Sequence, residues 1–256
     1  MSTLFATAWH TGRLALFDLE TTGVDCHRDR IVTAAVILAG GNLATDTTNW
    51  TVDPGIPIPD GAAAIHGITT EHARTHGGDP ALATADLAQR LLEAVAEGYP
   101  VVGHNVTYDL TLLWAECMRH GHYGLAGQLQ AIEPVIDTFV LDKMVDTYRK
   151  GSRKLVDVTK HYGVTLTAEQ AHGAAADALA AGRVAWTIAH RFPEVQVDLP
   201  ELHALQVRAK REQSESFGRY LVRQGKTDDV SRDWPIQPAP QGWAPDQLPA
   251  REEVPA

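Results

Sequence analysis

The stretch Leu16-Phe17-Asp18-Leu19-Glu20-Thr21-Thr22-Gly23 constrains this chain more than any other. Its apolar beginning reads as a buried strand over residues 13–19, yet two acids stand at its end. Side chains alternate across a strand, so Asp18 and Glu20, two apart, leave on one face. Carboxylates held that close repel each other unless a cation sits between them. The run into Thr-Thr-Gly places them where a sheet edge opens into a cleft and backbone N–H groups come free. An Asp-x-Glu triplet arises about once by chance in such a composition, so the pair needs company before it carries a function.

The remaining pattern supplies a fold. Residues 30–38 read as a second apolar strand and residues 45–52 as a more polar third. Gly40-Gly41-Asn42 between them is a turn signal for an antiparallel hairpin. Residues 53–60 hold three prolines and read as a loop. A helix over 80–97 follows, with Pro80 in its first turn, then a short buried strand over 99–103 and a helix carried by Leu110, Leu112, Leu113, Ala115 and Met118. Residues 135–138 form a fifth strand, followed by helices over 139–148, 154–162 and 172–190. Three strands first and then strands alternating with helices predict an α/β mixed sheet flanked by helices. Trp9, Trp50 and Trp114 are assigned to the core. Residues 199–224 read as a charged helix with a thin apolar stripe of Leu202, Leu205, Phe217, Tyr220 and Leu221. The proline-rich end, 234–256, lacks periodicity and is expected to be disordered or draped in extended form. The expected division is a main domain over 1–195, a basic helical arm over 196–230 and a tail over 231–256.

A chain of 256 residues buries one full core with something left over. It has no apolar run near the ~20 residues that span a bilayer, and no basic patch followed by an apolar stretch at its start, which places it in the cytoplasm with no membrane partner. Cys26 and Cys117 are too few for a disulfide framework or a zinc site and read as small buried hydrophobes. The net charge of -10 opposes a polyanionic partner, but its distribution does not. Between residues 206 and 226, Arg208, Lys210, Arg211, Arg219, Arg223 and Lys226 face only Glu212 and Glu215, and a second basic knot runs from Arg149 through Lys150 and Arg153 to Lys154. Each alone reads equally well as a solvated surface.

Two further strings join the first. His104-Asn105-Val106-Thr107-Tyr108-Asp109 sits where a strand hands over to a helix. His172-Gly173-Ala174-Ala175-Ala176-Asp177 opens a helix nearly bare of bulk, which allows close packing on a sheet. Together and in this order, the three strings resemble the exonuclease motifs of the DEDDh, DnaQ-like 3′-to-5′ exonucleases, which have the ribonuclease H-like fold. The resemblance spans residues 15–191. Ile65-His66-Gly67-Ile68 is similar to that family's His-Gly-Ile loop, and Ile136-Asp137-Thr138 to its Asp-Thr step. A His stands five residues before the last Asp, whereas the sister branch carries a Tyr four before it, a position held here by Gly173.

The resemblance implies a catalytic set of Asp18, Glu20, Asp109, His172 and Asp177 around two Mg²⁺ or Mn²⁺ ions. Such hard cations favour oxygen ligands and, in pairs, activate water and stabilise a departing oxyanion. By the same resemblance Asp18 bridges both metals, Glu20 and Asp177 hold one, Asp109 serves the other, and His172 is the general base, an imidazole titrating near neutral pH. Thr21, Thr22, His66 and Asn105 are implied around the 3′-terminal nucleotide. The implied activity releases nucleoside 5′-monophosphates from single-stranded or frayed DNA 3′ ends in proofreading or repair, beside a polymerase or alone. RNA or short oligonucleotides are the alternative substrate, since discrimination rests on contacts to the 2′-hydroxyl, and a non-catalytic binding or polymerase-docking module is the alternative from another class.

Overall fold

The computed structural model describes residues 8–166 and 172–246. Five strands form one sheet in the order β3-β2-β1-β4-β5: β1 (Arg13–Thr21), β2 (Ile31–Gly40), β3 (Asp46–Thr51), β4 (Val101–Gly103) and β5 (Val135–Asp137). The first three pair antiparallel. β4 joins the other side of β1 and β5 follows, both parallel to it. This is the mixed sheet that the strand pattern predicted. Because β1, β4 and β5 run the same way, their carboxyl ends open on one edge, where an α/β sheet receives ligands.

The helices are α1 (Asp60–His66), α2 (Thr70–His76), α3 (Pro80–Ala96), α4 (Thr107–Arg119), α5 (Tyr123–Gln130), α6 (Thr138–Val145), α7 (Leu155–Tyr162), α8 (Ala174–Arg191) and α9 (Leu199–Arg223). Alternation along β1 sorts them into two layers. Ala15, Phe17 and Leu19 pack with Leu87 and Leu91 of α3 and Leu110 and Leu113 of α4. Leu14 and Leu16 pack on the opposite face with Val158 of α7 and Val184 and Ile188 of α8. Asp18 and Glu20 share the parity of Leu14 and Leu16, so the acids continue the α8 side. None of the helices in the described residues is long and apolar enough to cross a membrane.

Local chemistry sets the helix starts. Asp79 caps α3 by accepting from the Ala81 and Leu82 N–H groups, and Pro80 occupies the first helical position, which needs no N–H donor. Asp137 caps α6 in the same way through Phe139.

The sequence reading errs at several places. The segment after the prolines folds into α1 and α2, because a proline is compatible with the position before a first turn: Pro59 occupies that position in α1, and the Thr69 hydroxyl caps α2. α5 was not predicted; it is short, and Gly124 and Gly127 break up its helical pattern. α8 starts at Ala174 and not His172, since His172 has φ 67°, outside the helical region. Trp9 and Trp114 are buried as expected. Trp50 is only half-buried, lying on the sheet's edge strand with its indole N–H donated to Asp86 at 2.8 Å. The expected apolar stripe of α9 also divides: Leu202 is buried while Phe217 and Tyr220 are exposed, and buried Gln206 takes the inward position between.

After α9 the chain runs without helix or strand back across the α4 layer. Trp234 is buried, the Gln237 N–H donates to the Thr111 hydroxyl at 3.0 Å, and Trp243 packs on Trp114 while donating to the His27 carbonyl at 3.1 Å.

Candidate active site

The acids meet because α8 lies unusually close to β1. A Cβ at Gly182 would come within 2.7 Å of the Leu16 methyls, so only glycine permits that approach. Asp177 lies five residues before Gly182, about 7.5 Å along a helix. Asp18 lies two residues beyond Leu16, about 6.6 Å along a strand. With α8 antiparallel to β1 these displacements nearly match, which carries Asp177 to Asp18. One ligand atom from each of Asp18, Glu20 and Asp177 falls within 4.8 Å of the others. The β1–β2 register slips between Glu20 and Thr21, an irregularity of the kind that re-aims side chains beside a site.

Asp109 comes from the opposite layer, in the first turn of α4, and is buried. One of its oxygens accepts the Leu19 N–H at 3.1 Å, which pins the carboxyl against β1 beside the other acids. It is not one of the three ligand atoms that gather within 4.8 Å. Its charge is nonetheless felt at Asp18: burial first, then Asp109, Asp177 and Glu20 in that order, hold the Asp18 carboxyl well above the usual carboxylate range. Burial and then Asp177 push Glu20 up to about 7. Asp109 is raised mainly by burial, against the pull of the Leu19 N–H. Asp177 is also raised by burial, with the His172 N–H and the His172 charge acting the other way.

His172 stands exposed beside Asp177, and its backbone N–H donates to Asp177 Oδ2 at 3.3 Å. Its φ of 67° is a costly conformation for a residue with a Cβ, of a kind that concentrates at functional sites. Asn105 is exposed, also at positive φ (57°), with its N–H on Asp137 Oδ1 at 2.8 Å. His66 Nδ1 accepts the Ile68 N–H at 3.1 Å, leaving the ring proton on the buried Nε2, which faces the Thr21 backbone without forming a well-aligned hydrogen bond. Burial lowers the His66 imidazole, and the Thr21 backbone partly restores it, so the ring lies at the end of β1. Thr21 and Thr22 are both buried. The Thr22 N–H donates to the Arg30 carbonyl at 3.0 Å, so it is held within the fold and not presented to the cleft. The turn after it is fixed by the Asp29 carboxylate, which accepts from the Thr22 hydroxyl at 2.7 Å and would meet any Cβ at Gly23 at 2.6 Å.

Several supporting residues escape a reading by motif. The Tyr108 hydroxyl bonds the Gly23 carbonyl at 2.6 Å and lies 2.8 Å from the Thr21 hydroxyl, so the aromatic of the second motif holds the turn of the first. Asp137 accepts from both Asn105 and Phe139, joining the loop after β4 to α6. His104 joins Thr138 at 2.8 Å to the Arg153 carbonyl at 2.9 Å. Asp142 is fully buried and takes Arg149 and Arg153 at 2.6 Å each and the Tyr162 hydroxyl at 2.9 Å. Two arginines of the basic knot are thereby turned inward, leaving Lys150 and Lys154 exposed. A lone Asp and two Arg in sequence carry no spacing signal that would announce this.

The site suits a hard cation. Asp177 Oδ1 is buried with no hydrogen-bond partner, and the raised carboxyls are those expected where like charges await a positive one. The donor set is all oxygen, matching Mg²⁺ or Mn²⁺ chemistry and not that of soft metals.

A ribonuclease H-like sheet with acids gathered at the carboxyl end of its central strand defines a nuclease domain of the DnaQ-like exonuclease class. The RNase_T family model, described as an exonuclease, matches residues 16–185, and the chain belongs to that family. Among curated relatives, it is 31% identical over 173 residues to a PolC-type DNA polymerase III of Lacticaseibacillus paracasei, covering 68% of this chain and 11% of the relative. It is 33% identical over 168 residues to a DNA polymerase III subunit epsilon-like protein of Rhodobacter capsulatus, covering 64% of this chain and 22% of that protein. The chain thus spans only a minor part of these relatives. In fold it is similar to Escherichia coli exonuclease I solved with a dT13 oligonucleotide, with a TM-score of 0.58, 21% identity and coverage of 72% of this chain and 42% of the other. A moderately thermophilic exonuclease I from Methylocaldum szegediense is similar with a TM-score of 0.55 and 22% identity, covering 82% of this chain and 45% of the other.

Proposed function

We propose that the chain is a DEDDh 3′-to-5′ exonuclease that removes nucleoside 5′-monophosphates from single-stranded or frayed DNA. The convergence of Asp18, Glu20 and Asp177 within 4.8 Å, on the strand and helix that also carry the family match, is the observation that supports it. Asp18, Glu20, Asp177 and Asp109 would hold two Mg²⁺ or Mn²⁺ ions, which supply water activation and charge neutralisation at the scissile phosphate. His172, exposed next to Asp177, takes the proton of the attacking water, as an imidazole can near neutral pH. His66 Nε2–H and Asn105 flank the terminal nucleotide, one donor near the end of β1 and one side chain at the end of β4. A duplex end must fray first, because the reactive phosphate has to reach the floor of the cleft.

DNA as substrate is supported by the polymerase III relatives and by the oligonucleotide complexes of exonuclease I. The same relatives support work beside a replicative polymerase. The test is a 5′-labelled single strand incubated with Mg²⁺ or Mn²⁺. Stepwise shortening from the 3′ end is expected, stopped by EDTA and lost in Asp18→Ala. Unchanged cleavage by Asp18→Ala would remove the acids from the mechanism, and faster loss of an RNA of the same sequence would reassign the substrate.

A further inference from the structure

Two hollows on one side of the molecule are joined by α6. The first, of about 460 Å³, opens at the end of β4 and is lined by His104, Asn105, Phe139, Arg153 and Lys154 among others. The second, of about 420 Å³, lies between α6 and α9 and includes Lys143, Gln213, Phe217 and Tyr220. Phe139 and Lys143 are one helical turn apart, and the Lys143 ammonium sits 5.1 Å from the Phe139 ring centroid, so the floor is continuous. Phe217 and Tyr220 are half-exposed (49% and 48%) with nearly parallel ring planes, 16° apart with centroids at 6.2 Å.

The charge of this groove opposes that of the molecule. In a chain of net charge -10, Lys143 and Lys154 line it, and Lys210 of α9 lies close enough to Lys143 for the two charges to repel. Of the acids near them, Asp142 is buried and neutralised by Arg149 and Arg153, and Glu212 alone lines the groove. Burial first, then Lys210 and Arg153, lowers the Lys143 ammonium, as in a cluster of cations awaiting anions. Flat aromatic faces beside lysines are what a single strand needs, since every base can stack and every phosphate is anionic. Apolar peptide chemistry could cover the rings but would leave those lysines without counter-charge, whereas a single strand meets both at once.

We propose that this groove, entered at Asn105 and running over Phe139 to α9, carries the 5′-ward part of a single-stranded DNA substrate, with Phe217 and Tyr220 as stacking platforms and Lys143, Lys154 and Lys210 as phosphate contacts. The proposal rests on the exonuclease reading for its direction, with the 3′ end at the acids. Recognition there is blind to sequence, because it uses base faces and phosphates only.

The experiment measures anisotropy of a labelled oligothymidylate of about 15 nucleotides with the full chain in EDTA, a length that fills the groove. The double variant Phe217→Ala/Tyr220→Ala is expected to bind about tenfold more weakly or worse, at unchanged salt slope. Lys210→Gln is expected to lower the slope of log affinity against log salt by about 0.7. Leu82→Ala, an exposed side chain on α3, serves as the control. Affinities and slopes that match the control would overturn the proposal. A second arm compares kcat/KM for the oligonucleotide with that for thymidine 5′-(p-nitrophenyl phosphate), which reaches the acids but not α9. The ratio is expected to fall about tenfold in the double variant; an equal fall on both substrates would show damage to the fold and overturn the groove. A wild-type chain that binds the oligonucleotide but hydrolyses neither substrate would defeat the exonuclease reading, and the binding arm would still decide the groove.

Discussion

Gln206 offers the sharpest test of how α9 relates to the sheet. Its side chain is fully buried and acts as a further strand along β5. Its Oε1 accepts the Asp137 N–H at 2.7 Å, and its Nε2 donates to the Val135 carbonyl at 2.9 Å and more weakly to that of Leu202 at 3.3 Å. Gln206→Met keeps the volume and removes these bonds, leaving one backbone donor and one acceptor buried without partners. Each such group costs about 1–3 kcal/mol, so about 2–6 kcal/mol is expected together. For a chain of this size that corresponds to a fall in Tm of about 4–24 °C. Urea denaturation with an unchanged m-value is the assay, and Gln224→Met, on the exposed C-cap, should stay within about 0.5 kcal/mol of wild type. Gln206→Glu should recover stability as pH falls, because a protonated carboxyl regains the lost donor. If Gln206→Met is as stable as the Gln224 control, the bonds do not hold α9 to β5. Deleting everything after residue 198 would strip the β5 edge as well as the basic residues, so point substitutions are the cleaner probe of nucleic-acid contacts.

Asp18→Asn removes a carboxylate from a cluster of like charges, so it should abolish hydrolysis while raising the metal-free Tm at pH 8; a lower Tm there would show that the repulsion is not significant. The Glu20 carboxyl sits at about 7 in the fold against 4.5 ordinarily, so the folded state holds its proton longer than the unfolded one. Metal-free stability should therefore be full below about pH 4.5 and decline as pH rises to about 7, a decline that Mn²⁺ opposes; a Tm that rises through this window, with Glu20→Gln leaving the profile unchanged, would refute the assignment. Tyr108→Phe loses the hydroxyl bonded to the Gly23 carbonyl, expected to cost about 1 kcal/mol and to raise KM for a single strand more than it lowers kcat; kinetics identical to wild type would detach this hydroxyl from the cleft.

The parts of this molecule legible in its sequence are those set by short-range periodicity. The alternation in β1 sends Phe17 and Leu19 to one layer and Leu16, Asp18 and Glu20 to the other, and that parity is visible before any coordinates. The small residues of α8 announced close packing, but their meaning lies in the pairing of Gly182 with Leu16, a contact between elements distant in the chain. Polar residues that serve tertiary structure were the least legible. Gln206 was read as part of a solvated face, Arg149 and Arg153 as a basic knot, and Asp142 not at all, because each is polar by type and buried by partner. The same cause explains α9: a stripe counted by hydrophobicity placed Phe217 and Tyr220 inward, whereas amide bonding to β5 rotates Gln206 inward and leaves the two rings outside. An apolar residue states its environment by itself, and a polar one only together with its partner, so the acids of the cleft were recognisable from three strings read jointly and the groove beside them only from the fold.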